Sequence, residues 1–223
     1  MLHLWVLALA PPFLILYYFI KSDKFTEPSS LIIKTFLLGL LICIPAGELN
    51  YYLIWLPEAN TGIDLSFLAG VTEETLKFLA LYFYIKKKTD FNEPMDAIVY
   101  GTLISLGFAS LENIEYILSG ESIGESYIIG ILRAFTAIPM HAMAGVIMGY
   151  YFASYVFLAK RKALLKALFV PMAFHALYNF LAGLSLILMF IFLVIIIRYG
   201  LALHKEYLLM QKTKDFEEES KSV

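Results

Sequence analysis

Seven apolar runs, each near the roughly 20 helical residues that cross about 30 Å of hydrocarbon, leave this chain few choices of fold. They cover approximately residues 2–20, 31–56, 65–85, 95–118, 127–158, 163–182 and 184–203. With 60% of the residues apolar and only 16% charged, too little polar surface remains to coat a water-soluble core of this size. The expected fold is therefore all-α, a polytopic transmembrane bundle of about seven spans. Residues 1–203 form one domain in this reading, followed by a polar, solvated tail over 204–223. The fifth run is too long for one straight span and contains Pro139, so a break into two helical pieces is expected there. No Lys or Arg precedes Lys21, and the first run is accordingly read as a span and not as a signal peptide.

Basic residues set the expected orientation. Lys21 and Lys24 follow the first run, Lys86, Lys87 and Lys88 the third, and Lys160, Arg161 and Lys162 the fifth. The alternate loops, 57–64 and 119–126, contain acids but no Lys or Arg. An odd number of spans then places the N-terminus outside and the C-terminus in the cytoplasm. A net charge of −2 without a basic face excludes nucleic acid as a partner. The one cysteine, Cys43, excludes an intramolecular disulfide and reads as a small buried hydrophobe.

Ionisable side chains inside the hydrocarbon are costly, and they mark where function is to be sought. Glu73 and Glu74 lie in mid-span, with Lys77 four and three residues on, the spacing of neighbours on one helix face. Adjacent helical residues point about 100° apart, so Lys77 cannot serve both carboxylates well and one needs another partner. Glu112 with Asn113 is on the fourth span, His141 on the fifth, and His175 with Asn179 on the sixth. Counted at 1.5 Å per residue, Glu73, Glu112 and His175 lie at a common depth of about 9–12 Å below the outer surface. That pattern suits one cavity open to the outside. His3 and His204, near span ends, read as interfacial, and Arg133, Glu48 and Asn50 as secondary candidates.

Carboxylates and imidazoles without a candidate Ser or Cys nucleophile point to hydrolysis by activated water. A buried Glu acts as general base, while imidazole or amide donors stabilise the oxyanion. The competing form places zinc on His141, His175 and Glu112, with a remaining Glu as base. Asn179, a poor zinc ligand and a good amide donor, tips the expectation toward metal-independent chemistry. H-E-x-x-H, G-x-S-G and G-x-G-D are all absent from the chain. Two other functions fit the same residues: a non-catalytic immunity or scaffold protein, and a proton-coupled transporter, in which buried Glu and His form relays.

The series Glu73-Glu74-x-x-Lys77, Phe108-x-x-x-Glu112-Asn113, His141-x-x-x-Gly145 and His175-x-x-x-Asn179, on successive helices, resembles the PrsW family of bacterial membrane proteases. The stretch Asp96 to Tyr116 is especially similar, and the resemblance runs from about Tyr17 to about Phe180. It extends to the superfamily of CAAX prenyl endopeptidases and bacteriocin-processing proteins, where Lys77 stands in place of an Arg and Glu112 in place of a His. The resemblance implies a glutamic protease of the bacterial cell membrane with Glu73, Glu74, Glu112, His141, His175 and Asn179 at its site. It also implies a membrane-spanning anti-sigma factor as substrate, cut on its extracytoplasmic side to begin regulated intramembrane proteolysis.

Overall fold

The computed structural model describes residues 2–221, with side chains through residue 213. Among these residues there are α-helices and no strands: α1 (Leu2–Ser22), α2 (Ser29–Asn50), α3 (Leu56–Thr61), α4 (Leu68–Phe83), α5 (Pro94–Leu118), α6 (Ile123–Phe135), α7 (Ala137–Val156), α8 (Ala163–Leu184) and α9 (Leu186–Lys221). A π-helical turn, Tyr51–Trp55, joins α2 to α3, and a 3-10 turn, Ile85–Lys87, follows α4. This is the all-α polytopic bundle expected. Six segments of the described residues are long and apolar enough to cross a membrane, α2 counting together with α3 and α6 with α7. The remaining expected span is α4, whose 16 residues extend only about 24 Å. Its polar middle is hidden in protein and not in lipid: Glu73, Glu74 and Lys77 are all buried.

Helices α5 and α7 form the axis of the bundle. Every residue from Met95 to Ser110 and from Met140 to Tyr150 is buried. They approach backbone to backbone, because a Cβ on Gly101 would stand 2.6 Å from the Gly145 carbonyl oxygen, and one on Gly145 2.6 Å from that of Gly101. Small residues are what allow such contact in a bilayer, where apolar side chains have no water to escape. Around this pair, α1, α2, α8 and α9 each turn an apolar face outward, with Leu14, Leu41, Phe169 and Ile187 exposed. Such faces would be a liability in water and are the ordinary boundary of a membrane bundle.

Local chemistry sets the helix ends. Pro94 opens α5 at its first position, and Glu93 and Asp96 form a capping box in which Asp96 Oδ2 accepts from Asn92 N at 2.7 Å and Glu93 N at 2.8 Å. Ser122 caps α6 by accepting from Glu125 N at 3.2 Å. The expected break in the fifth run falls at Thr136, whose φ of −126° and ψ of −74° separate α6 from α7. Pro139 has no amide hydrogen and its ring crowds the carbonyl four residues back, which belongs to Phe135, the last residue of α6. Gly62, at φ +64°, ends α3 in the left-handed region.

The C-terminal helix departs from the sequence reading. Instead of ending near residue 203, α9 continues, and His204, Tyr207 and Gln211 are buried. Their spacing keeps them on the inward stripe of the helix, where the charged neighbours Lys205, Glu206 and Lys212 obscure the pattern. His204 is therefore not interfacial: its Nε2 lies 2.9 Å from Ser22 Oγ and its ring 4.9 Å from that of Phe19. His3 stacks on Tyr127 with ring centroids 5.3 Å apart. Side chains beyond 213, in the expected tail, lie outside the described residues.

Candidate active site

Four helices bring their polar residues to one place. From α4, Lys77 Nζ lies 2.8 Å from Glu74 Oε1 and 3.6 Å from Glu73 Oε2. It also lies 3.1 Å from His141 Nδ1 on α7 and 4.1 Å from the centroid of Phe108 on α5. An ammonium can only donate, so His141 Nδ1 accepts from Lys77 and the proton sits on Nε2, which donates to Glu112 Oε2 at 2.9 Å. Glu112 Oε2 is held from its other side by Arg133 Nη2 at 2.6 Å. On α8, His175 Nδ1 faces Glu74 Oε1 at 3.0 Å, and a carboxylate partner makes Nδ1 the donor. Nε2 makes no hydrogen bond among the described residues, and in the neutral ring it carries the lone pair. The two imidazoles meet edge to face, their centroids 4.9 Å apart.

The paired acids thus part company, as adjacent positions on a helix must. Glu74 turns inward and is clamped by Lys77 and His175, whereas Glu73 faces a cavity of about 720 Å³. Glu73 Oε1 accepts from Asn50 Nδ2 at 3.3 Å, and Thr72 donates to Asn50 Oδ1. Glu73 Oε2 is buried without a hydrogen-bond partner. Glu112, Arg133, His141, His175 and Asn179 line the same cavity, and Glu58, Asp64, Ser66 and Ser119 stand at its loop end. Asn179, one turn after His175, donates to the Ser66 carbonyl at 3.2 Å. All six expected site residues therefore surround the constellation, with Glu74 just behind its wall.

Two contributors were underweighted by the sequence. Arg133, for which the sequence left open snorkelling or pairing with an acid, pairs with Glu112, donates from Nε to Asn113 Oδ1 at 2.9 Å and lies 4.0 Å over the Tyr116 ring. Asn50 ends α2 where the backbone turns π-helical, a distortion common beside functional sites. Pro45 and Gly47 one turn earlier are the signal that marks this stretch. With both histidines neutral, three carboxylates face the two permanent cations Lys77 and Arg133. The cluster retains one negative charge, and Glu73 is the carboxylate with the weakest grip on a cation.

The family model described as PrsW family intramembrane metalloprotease matches residues 27–201. The chain belongs to the PrsW family. It is 36% identical over 191 residues to Protease PrsW of Oceanobacillus iheyensis, covering 81% of this chain and 83% of that one. Protease PrsW of Bacillus subtilis is 34% identical over 178 residues, covering 78% and 79% of the two chains. Protease PrsW of Clostridioides difficile is 30% identical over 220 residues, covering 93% and 92%. No solved structure matches the chain. The protein is a multi-pass bacterial membrane protease.

The family description raises the question of a metal. Glu73, His141 and His175 place ligand atoms within 4.8 Å of one another, so the group within reach of an ion contains Glu73 where the sequence reading had Glu112, whose Oε2 is taken by Arg133 and His141. His175 has a free lone pair and a carboxylate behind it, the arrangement of a metal-binding imidazole. His141 does not fit, because Lys77 occupies Nδ1 and Nε2 donates to Glu112. Two ligands remain, one short of the three that a catalytic zinc site takes from protein.

Proposed function

We propose that this PrsW-family protease cleaves a membrane-spanning anti-sigma factor on its extracytoplasmic side by glutamate-activated water, and that Glu73 is the general base. The observation that carries the reading is Glu73 itself, which lines the cavity while its nearest cation, Lys77, stands 3.6 Å from Oε2, whereas the equally buried Glu74 is held by Lys77 at 2.8 Å. A water held there gives its proton to Glu73 as its oxygen attacks the scissile carbonyl. The oxyanion forms beside the Asn179 amide on the cavity wall. Glu73 then returns the proton to the leaving amine as the C–N bond breaks, so the carboxylate is regenerated. Glu74 orients His175, and Glu112 with Arg133 orients His141.

Charge and position together support the proposed side of cleavage. The cavity reaches the loops at Glu58, Asp64 and Ser119, which belong to the stretches without Lys or Arg that face outward by the positive-inside rule. A membrane-spanning substrate fits a site enclosed among helices and open at that end, and the anti-sigma factor is the substrate that the family resemblance supplies.

The test is reconstituted protein with a candidate anti-sigma factor, assayed with and without a strong chelator. The expected result is extracytoplasmic cleavage that survives chelation. A rate abolished by chelator and restored by zinc would replace the glutamate mechanism with a metal one, and cleavage only in cytoplasmic loops would overturn the assigned side.

A further inference from the structure

A second cluster of acids lies at the opposite end of α5. Asp96 is sixteen residues before Glu112 on this helix, a separation of about 24 Å. Asp23 from the α1–α2 connection, Glu93 just before α5 and Asp96 in its first turn place carboxylate oxygens within 4.8 Å of one another, all three buried. Glu27 adds a fourth acid within hydrogen-bonding reach of Asp96, and its Oε2 accepts from the Tyr100 hydroxyl.

Two oxygens in this group are orphaned. Asp96 uses Oδ2 for the capping box while Oδ1 has no partner, although the residue is 1% exposed. Asp23 uses Oδ1 to accept from Gln211 Nε2 at 2.8 Å and from Phe25 N at 3.1 Å, while Oδ2 has none at 4% exposure. Neither Asp23 nor Asp96 forms an ion pair among the described residues. Two carboxylates as close as Glu27 and Asp96 repel unless something positive lies between them. Gln211 of α9 also donates to Glu93, so three separate parts of the chain converge here.

We propose that Asp23, Glu93 and Asp96, with Glu27 beside them, bind a hard divalent cation that ties the α1–α2 connection and the start of α5 to α9. The candidate ligand atoms are carboxylate oxygens, which is the ligand chemistry of Mg²⁺ and Ca²⁺ and not of zinc. The site is remote from the proteolytic cavity, and its role is to fasten the C-terminal helix.

The experiment uses the full chain, purified in detergent, stripped with chelator and titrated with Mn²⁺ as a spectroscopically visible substitute. One Mn²⁺ per chain is expected, displaced by Mg²⁺ or Ca²⁺ and accompanied by a higher melting temperature. Asp23→Asn should weaken binding by about tenfold or more, since it removes a ligand charge. Asp96→Asn should do the same, and because Asn still accepts the capping hydrogen bonds, the helix start survives. The double variant Glu73→Gln/His175→Ala should bind as the wild type does. Absence of saturable binding up to about 10 mM, beyond the weakest calcium modules, would overturn the proposal and leave a shared proton between the acids. Unchanged affinity in Asp23→Asn, or loss of binding in the Glu73/His175 variant, would equally overturn it.

Discussion

The two ends of α5 hold buried acids under opposite conditions. At one end Glu73, Glu74 and Glu112 are interleaved with Lys77, Arg133 and two histidines, so nearly every carboxylate meets a cation or a ring nitrogen within 3.0 Å. At the other, Asp23, Glu27 and Asp96 meet amides, a hydroxyl and backbone N–H groups. The first cluster balances its own charge except at Glu73, and that exception faces the cavity. Among the described residues, the second offers no cation to Asp23 or Asp96. A lone imbalance at a cavity wall is suited to moving a proton, whereas a shared imbalance sealed among helix ends is suited to holding an ion.

Exchanging the two neighbouring glutamates tests the first half of the contrast most severely. Glu73→Gln keeps the shape and removes the base, and cleavage should fall about 10²–10⁴-fold with the protein still folded. Glu74→Gln loosens Lys77 and His175 together, so its cost should appear in the melting temperature as well as in the rate. Equal, purely kinetic losses in the two variants would erase the distinction between a base on the cavity wall and a support behind it.

How much of this was legible in the sequence depends on what kind of signal each feature leaves. The span pattern, the break before Pro139 and the convergence of Glu73, Glu112 and His175 were readable, because charges stand out against apolar runs and a 1.5 Å rise converts position into depth; the depth of His141 was not, because it follows that break. The partners of Arg133 and Asn50 were not, since a polar residue near a helix end has water as a plausible alternative until the fold removes it. The second acidic cluster was invisible for the same reason: Asp23, Glu27 and Glu93 lie between spans, where acids are commonplace, and nothing local reveals that α9 runs past residue 203 to cover them.

Removing the cation from the balanced end should be costly in stability. Arg133→Met leaves the half-buried Glu112 with only His141 beside it, and because the pair is partly exposed the cost should fall below the roughly 3–5 kcal/mol of a fully buried pair. Adding Glu112→Gln to the same chain should recover much of the loss, because no unpaired charge then remains. Denaturation of the single and double variants in detergent measures both effects, and a double variant no better than the single would mean that packing, not charge, fixes Arg133.

Between the two clusters, α5 must keep its register on α7. Gly101→Val would drive side-chain atoms into the Gly145 carbonyl, already only 2.6 Å from a Cβ at this position, and overpacking of this kind costs about 1–3 kcal/mol. Because the displacement is shared along the helix, both proteolysis and Mn²⁺ binding should weaken. A variant that loses one and keeps the other would show that the two ends of α5 are positioned independently.

The smallest expected effect lies at the rim of the cavity. Asp64 accepts from Ser66 N at 2.9 Å, and hydrogen bonding to Ser66 holds its carboxyl below the usual value of 3.8 although it is exposed. A carboxylate whose folded pKa is depressed adds stability above its unfolded pKa and loses it as pH falls through the folded one. The contribution is therefore complete at neutral pH and disappears in acid below about 3.8, and solvent screening keeps it small. Asp64→Asn should flatten only this acid limb of the melting temperature against pH. Its neutral-pH cleavage rate should stay near that of the wild type, because Asp64 shapes the loop that carries the Ser66 carbonyl, to which Asn179 donates, without reaching Glu73. A large neutral-pH loss of rate in Asp64→Asn would instead make the rim part of the balanced cluster and move the boundary between the proton-handling residues and their supports.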